Sequence, residues 1–309
     1  MNRIPSGVVQ FFEPLTSIRR KAENTIIEFF KSKGYEEIIT PTFVYEDSVS
    51  EFLFEPLKNK LFKIVDKNSG QTMILRADIT LQITQAVLLG DFKMPARLCY
   101  AQNVYRDIKE HLGKKREFKQ IGVELFGIKE LDADFEVVSL AIDSLSLMGI
   151  EGLYVRVSDT YIIENLIGEF GLSGDRADRL RELVFLKNIS HIKKEGFDSA
   201  LIERIEKLNS LSGMDIDRLA DSGFDAADLS LRIKEKYRNV GVFCDLFYCE
   251  YPLYHHGITF EIFAENKKLA VGGRYGNITK KLGKYIPATG FAIDLNELSY
   301  FLYEKENSR

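Results

Sequence analysis

Six cations crowd one short stretch, VYRDIKEHLGKKREFKQIGVELFG (104–127): Arg106, Lys109, Lys114, Lys115, Arg116 and Lys119. Gathered on a hairpin, guanidinium and ammonium groups could clamp a phosphate, because they stabilise charge that shifts among its oxygens. A bare run of charge also reads as a solvated hairpin tip. His255 and His256 offer imidazoles to a metal, yet no third or fourth ligand accompanies them, so no metal site is expected. Cys99, Cys244 and Cys249 supply no CxxC pair and no even disulfide set, which fits reduced thiols. Gly272-Gly273 and Gly290 read as tight backbone positions rather than a phosphate loop.

The elements that must position these groups follow from periodicity. In TSIRRKAENTIIEFFKSKG (16–34), Ile18, Ala22, Ile26, Phe29 and Phe30 recur at helical spacing, with Thr16 or Ser17 as cap and Gly34 as stop. YEEIITPTFVYED reads as a strand interrupted at Pro41, which belongs at an edge or interface because proline cannot donate to a ladder. KLFKIVD and QTMILRA flank a turn at 67–70 and predict a hairpin. Residues 78–88 read as a helix, 96–106 and 118–126 as paired strands, 132–148 as a second amphipathic helix, and LYVRVSD (153–159) as a strand. From 161 to 237 charges are dense, and leucine and isoleucine recur at three and four. That texture predicts a helical insertion (161–237) in a core made of 1–160 and 238–309. VGVFCDLFY, GITFEIFAE and KLAVGGRY restore β texture, and ATGFAIDLNELSYFLYEK closes as strand then helix. Strands grouped around a few helices without βαβ alternation predict an α+β fold with a largely antiparallel sheet.

The totals narrow the function classes. The chain has 309 residues and a net charge of −4, from 42 basic and 46 acidic side chains, which argues against a dedicated nucleic-acid binder. No apolar run approaches the roughly 18 residues that span a bilayer, and the N-terminus lacks a signal-peptide core. A cytoplasmic protein without membrane contact is expected.

The ordered series GYEEIITP, LRADIT, YRDIKEHLGKKREFKQIGVELFG, VGGRYG and ATGFAIDLNEL resembles the catalytic core of histidyl-tRNA synthetase, a class II aminoacyl-tRNA synthetase, from roughly residue 7 to 303. GYEEIITP resembles motif 1, whose strand lies at the dimer interface in that family. YR through FG resembles motif 2, and GFAIDLNEL stands in the place of motif 3. The resemblance implies a phosphate clamp in which Arg76, Arg106 and Arg116 are remnants. It also implies losses: Ile108 replaces a glutamate near the adenine, Glu250 and Glu297 stand where phosphate-facing arginines belong, Asp294 replaces a glycine, and Gly276 an aspartate. Reversing one such charge near 4 Å from a phosphate replaces about 4 kcal/mol of attraction with comparable repulsion, at an effective dielectric of about 20. ATP adenylation is therefore expected to be lost.

The amino-acid pocket fares better. The resemblance assigns a histidine-binding role to Asp78, Thr80, Gln120, Glu124, Tyr254, His255 and Tyr275, with Asp78 in place of a glutamate and His255 in place of a tyrosine. Carboxylates suit an ammonium and an imidazole, although Asp78 also reads as a helix cap. The chain stops shortly after the motif 3 helix, so no anticodon-binding domain and no tRNA partner are expected. Together these features resemble the synthetase paralogues that serve as regulatory subunits of ATP phosphoribosyltransferase. That branch implies a chain that is not itself an enzyme and carries no cofactor. It pairs with a short-form catalytic subunit, typically as a hetero-octamer, dimerises through the motif 1 region and takes histidine as effector. The partner would transfer phosphoribosyl from PRPP to ATP at the first step of histidine biosynthesis. The rival expectations are an active histidine-adenylating enzyme and a histidine sensor with another partner.

Overall fold

Ala22, Ile26, Ile27 and Phe30 form the buried stripe of the first helix, α1 (Leu15–Ser32). It starts one residue before the expected cap positions, and neither Thr16 nor Ser17 caps it. Instead the Glu13 carboxylate accepts from Ser17 N at 3.2 Å, and hydrogen bonding from the Ser17 side chain first, then its backbone, holds the carboxyl pKa down. The computed structural model describes residues 4–50, 52–53, 55–108, 115–249 and 255–307. They form two compact units, Met1–Ile128 with Gly276–Arg309, and Lys129–Tyr275.

In the first unit, β1 (Glu36–Glu37) is followed beyond Pro41 by β2 (Phe43–Tyr45), then α2 (Glu55–Lys58), β3 (Lys63–Val65), β4 (Thr72–Leu75), α3 (Ile79–Leu89), β5 (Ala96–Tyr105) and β6 (Glu117–Phe126). The interruption at Pro41 splits the predicted strand: β1 lies parallel beside β5, and β2 joins β4 and β3 in a separate three-stranded antiparallel sheet.

The second unit holds α4 (Leu131–Leu147), β7 (Leu153–Asp159), α5 (Tyr161–Glu169), α6 (Gly174–Phe185), α7 (Ile189–Lys194), α8 (Ser199–Leu211), α9 (Asp225–Lys236), β8 (Gly241–Cys244), β9 (Ile258–Ala264) and β10 (Lys267–Arg274). The chain then returns to the first unit with α10 (Gly276–Lys281), β11 (Ala288–Asp294) and α11 (Leu295–Asn307).

Strands run β1, β5, β6, β11 in the first unit and β10, β9, β7, β8 in the second; the β1–β5 and β7–β8 pairs are parallel and the other registered pairs antiparallel. This is an α+β fold. Helices α1 and α11 pack on each other and on β6, burying Phe30 against Phe291 edge to face at 5.7 Å. In the second unit α4 covers β9 and β10, and α9 covers β7 and β8. Strand β7 shows the reason, since Leu153, Val155 and Val157 are buried while Tyr154 and Arg156 are half-exposed. The regular elements from 161 to 236 are all helical, yet α9 is built into the layer on β7 and β8 rather than standing apart.

A buried ion pair closes the second unit. Arg274, from GGRYG, donates through Nε to Asp134 Oδ2 at 2.7 Å and through a terminal nitrogen to Glu130 O at 2.8 Å, fixing the end of β10 to the start of α4. Nearby, Asp159 accepts from Tyr161 N at 2.8 Å. Burial pushes its carboxyl up to about 6; Asp225 and Asp134 add to the rise, and the Tyr161 hydrogen bond and Arg274 oppose it. In the unfolded chain an aspartate titrates near pH 4, so the folded state binds this proton more tightly and Asp159 costs stability as pH rises from about 4 to about 6. Asp159→Asn keeps the acceptor for Tyr161 and removes the charge. Denaturation curves are expected to show no difference from wild type below about pH 4 and a gain on the order of 2 kcal/mol at pH 7. An unchanged difference across that window would contradict this account of the buried carboxyl.

Candidate functional site

Antiparallel register sets the floor of the site. Strand β6 places Gln120, Gly122 and Glu124 on one face, by the two-residue repeat of a strand. On β5 their direct partners are Gln102, Tyr100 and Leu98; on β11 they are Asp294, Ala292 and Gly290. The two glycines make room at this face. A Cβ on Gly290 would stand 2.0 Å from Glu124 Oε2, and a Cβ on Gly122 would stand 2.9 Å from the Tyr100 hydroxyl and 2.0 Å from Phe291 O.

Glu124 is only 1% exposed, and the Thr80 hydroxyl donates to its Oε1 at 2.6 Å. Thr80 is presented by α3, whose cap is Asp78: that carboxylate accepts from Leu81 N at 2.9 Å with Asp78 in extended backbone. Asp78 thus performs the capping role, and it lies close enough to Tyr100 to act on the same phenol. Burial, then Glu124, then Asp78 push the Tyr100 hydroxyl well above its ordinary pKa. The structure therefore brings Asp78, Thr80 and Glu124 together with Tyr100, which the motif comparison missed. The available signal was Gly122 within a strand, which marks close approach by a neighbouring group. Gln120 is half-exposed on the same strand face, opposite Asp294.

Each of the three arginines assigned to a phosphate clamp contacts protein groups. Arg76, 7% exposed, donates to Thr40 O at 2.7 Å, to Pro41 O at 3.3 Å, to Asn103 O and to Gln102 Oε1, tying the segment after β1 to β5. Arg106 donates to Ala77 O at 3.2 Å and lies over the Phe118 ring at 5.2 Å. Arg116 pairs with Asp107 at 2.5 Å and covers the Phe62 ring at 4.7 Å. The acidic replacements have their own partner. Lys115 reaches Asp294 Oδ2 at 3.3 Å and Glu297 Oε1 at 2.5 Å. Asp294 also caps α11, accepting from Asn296 N at 2.9 Å and Glu297 N at 3.0 Å. Burial raises the Asp294 carboxyl, and Lys115 draws it back down. Ile108 follows Arg106 in a short backbone turn, its N donating to Arg106 O at 3.0 Å.

The remaining assigned residues belong to the second unit. His255 is 8% exposed and Tyr275 2%. Gly273 has φ +151, and a Cβ there would meet Ile258 O at 2.5 Å and His255 Nδ1 at 3.0 Å, so the second glycine of GGRYG is a close-approach position. His256 meets the Tyr161 ring at 4.4 Å. Tyr254, Glu250, Lys109 and Lys114 lie outside the described residues. Among the described residues, no group of three or more His, Cys, Asp or Glu side chains could hold a metal ion, and no helix is long and apolar enough to cross a membrane.

Residues 8–298 match the family described as Histidyl-tRNA synthetase. The chain is 33% identical to the ATP phosphoribosyltransferase regulatory subunit of Thermoanaerobacter sp. (strain X514), over 98% of this chain and 83% of that protein. It is 32% identical to the protein of the same name from Geobacter metallireducens, over 94% of this chain and 72% of that one. A solved structure of an ATP phosphoribosyltransferase regulatory subunit/histidyl-tRNA synthetase from Bacillus halodurans C superposes with a TM-score of 0.84 at 28% identity, covering 98% of this chain and 83% of that chain. The ATP phosphoribosyl transferase (HisG:HisZ) complex from Thermotoga maritima contains a chain alike in fold, with a TM-score of 0.70 at 20% identity over 90% of this chain and 97% of that one.

Proposed function

The chain belongs to the histidyl-tRNA synthetase family, and from its likeness to relatives named ATP phosphoribosyltransferase regulatory subunit we infer that it is such a subunit, acting in histidine biosynthesis. The observation that carries this reading within the family is the Lys115–Asp294–Glu297 cluster. Two carboxylates and one ammonium stand where an adenylating enzyme needs cations against ATP. Such a site repels a polyphosphate instead of stabilising charge transfer on it. Catalysis then resides in a short-form catalytic subunit, and this chain supports its active arrangement without chemistry of its own.

Two further features belong to the reading. Ile39, Phe43, Tyr45, Ile64 and Val65 are exposed apolar side chains on and beside β2 and β3, and they suit self-association through the motif 1 region within a hetero-octamer. The carboxylate of Glu124, held by Thr80, suits histidine as an effector. Feedback requires histidine to bind one state of the assembly more tightly than the other.

Reconstitution tests the whole reading. The purified chain alone is expected to give no histidine-dependent pyrophosphate exchange with ATP and no phosphoribosyl-ATP. Adding the short catalytic subunit is expected to raise phosphoribosyl-ATP formation at least ~tenfold over that subunit alone, equivalent to about 1.4 kcal/mol or more of barrier. Sustained pyrophosphate exchange by the chain alone would restore the adenylating alternative. A pull-down that returned a different partner would favour the sensor.

A further inference from the structure

Three cross-strand rows share one face of the sheet in the first unit: Leu98, Glu124 and Gly290; Tyr100, Gly122 and Ala292; Gln102, Gln120 and Asp294. The middle row carries a single large side chain, Tyr100, which is 1% exposed. Gly122 beside it has no side chain to hold the ring upright, and the phenol reaches across that glycine: a Cβ on Gly122 would stand 2.9 Å from the hydroxyl. The phenol therefore belongs to the row that separates Gln120 from Glu124. Across the next row Glu124 leans over Gly290 in the same way, its Oε2 lying 2.0 Å from where a Cβ would be. Helix α3 closes this side by presenting Thr80, whose backbone carbonyl accepts from the Thr84 hydroxyl at 2.7 Å.

Proton count fixes what the phenol does there. Thr80 and Tyr100 are hydrogen-bond partners through their side chains. A threonine hydroxyl has one proton and two lone pairs, and the Thr80 proton goes to Glu124 Oε1 at 2.6 Å. Tyr100 must then be the donor to the Thr80 oxygen. Burial, then Glu124, then Asp78 oppose loss of its proton, so it stays a donor. We propose that Tyr100 is a positioning residue of the amino-acid pocket: its O–H, steadied across Gly122, holds the Thr80 hydroxyl in the rotamer that donates to Glu124. The chain Tyr100–Thr80–Glu124 runs in one direction and ends on the carboxylate, each bond polarising the next. Histidine as the ligand rests on the functional reading above, whereas the Tyr100–Thr80 contact is measurable in the ligand-free chain.

Tyr100→Phe keeps the ring and removes only the O–H, and its effect is compared in three backgrounds of the full chain: wild type, Thr80→Ser and Thr80→Val. In calorimetry with L-histidine, the substitution is expected to weaken binding about fivefold in wild type, the worth of about one neutral hydrogen bond. In Thr80→Ser the loss is expected to reach about tenfold, because serine lacks the branch that restricts χ1 in threonine and depends more on its neighbour. In Thr80→Val, where no hydroxyl remains to be oriented, it should stay below about twofold. A tyrosine that only filled space would give the same change in all three. Urea denaturation of the same proteins without ligand should show Tyr100→Phe raising the unfolding equilibrium constant about fivefold beside Thr80 and less than about twofold in Thr80→Val. Equal effects of Tyr100→Phe across the backgrounds, in either measurement, overturn the positioning role. A wild type that takes up no histidine removes the effector reading, and the unfolding comparison then decides the contact by itself.

Discussion

Histidine titrated into the wild-type chain gives saturable heat, and Glu124→Ala binds it roughly 10- to 100-fold more weakly: that is the expected result if the inherited pocket still recognises its amino acid. Glu124 is 1% exposed and its Oε1 accepts from the Thr80 hydroxyl at 2.6 Å, so a bound amine or imidazole would meet a preorganised carboxylate. A charge-assisted hydrogen bond of this kind contributes about 1.5–3 kcal/mol, and its loss weakens binding by roughly 10- to 100-fold. Thr80→Val, which leaves the charge and removes the orienting donor, should fall between the two.

The substitution should separate binding from folding. Removing the Glu124 side chain deletes a buried charge and takes away the acceptor of the Thr80 hydroxyl. Weakened histidine binding with an unchanged unfolding midpoint is the diagnostic combination. Absence of heat in the wild type would remove histidine from this pocket and leave the effector role to another site.

The second large effect is on stability. Arg274→Met leaves Asp134, fully buried at 0% exposure, without its guanidinium. Breaking a buried pair from one side costs about 3–5 kcal/mol, because an uncompensated charge remains in a medium that solvates it poorly. Urea denaturation should register most of that loss. The double variant Arg274→Met/Asp134→Leu should recover a large part of it, since two apolar side chains of similar volume impose no such penalty. A loss below about 1 kcal/mol in the single variant would place the pair among ordinary surface contacts and contradict the buried-staple account.

Much of this molecule was legible from local pattern. The apolar stripe of α1, the paired strands β5 and β6, the break at Pro41 and the Asp78 cap all arise from preferences that act within a few residues. Where a cap was misread, at Thr16 and Ser17, the acceptor came from Glu13, just upstream of the helix, a choice that propensity does not decide. The expected loss of a phosphate-facing cation at Glu297 came from motif order in the same way.

The sequence by itself therefore determined the α+β character and the family, since these depend on short-range periodicity and on motif order. Only the tertiary structure decided what the charges do. Arg76 is consumed by carbonyls at 40, 41 and 103, Tyr100 presses its phenol over Gly122 towards Thr80, and Lys115 is claimed by Asp294 and Glu297. An ionic or hydrogen-bonding group takes whichever partner folding brings within about 3 Å. Lys115 and Asp294 lie 179 residues apart, so no local pattern could have paired them.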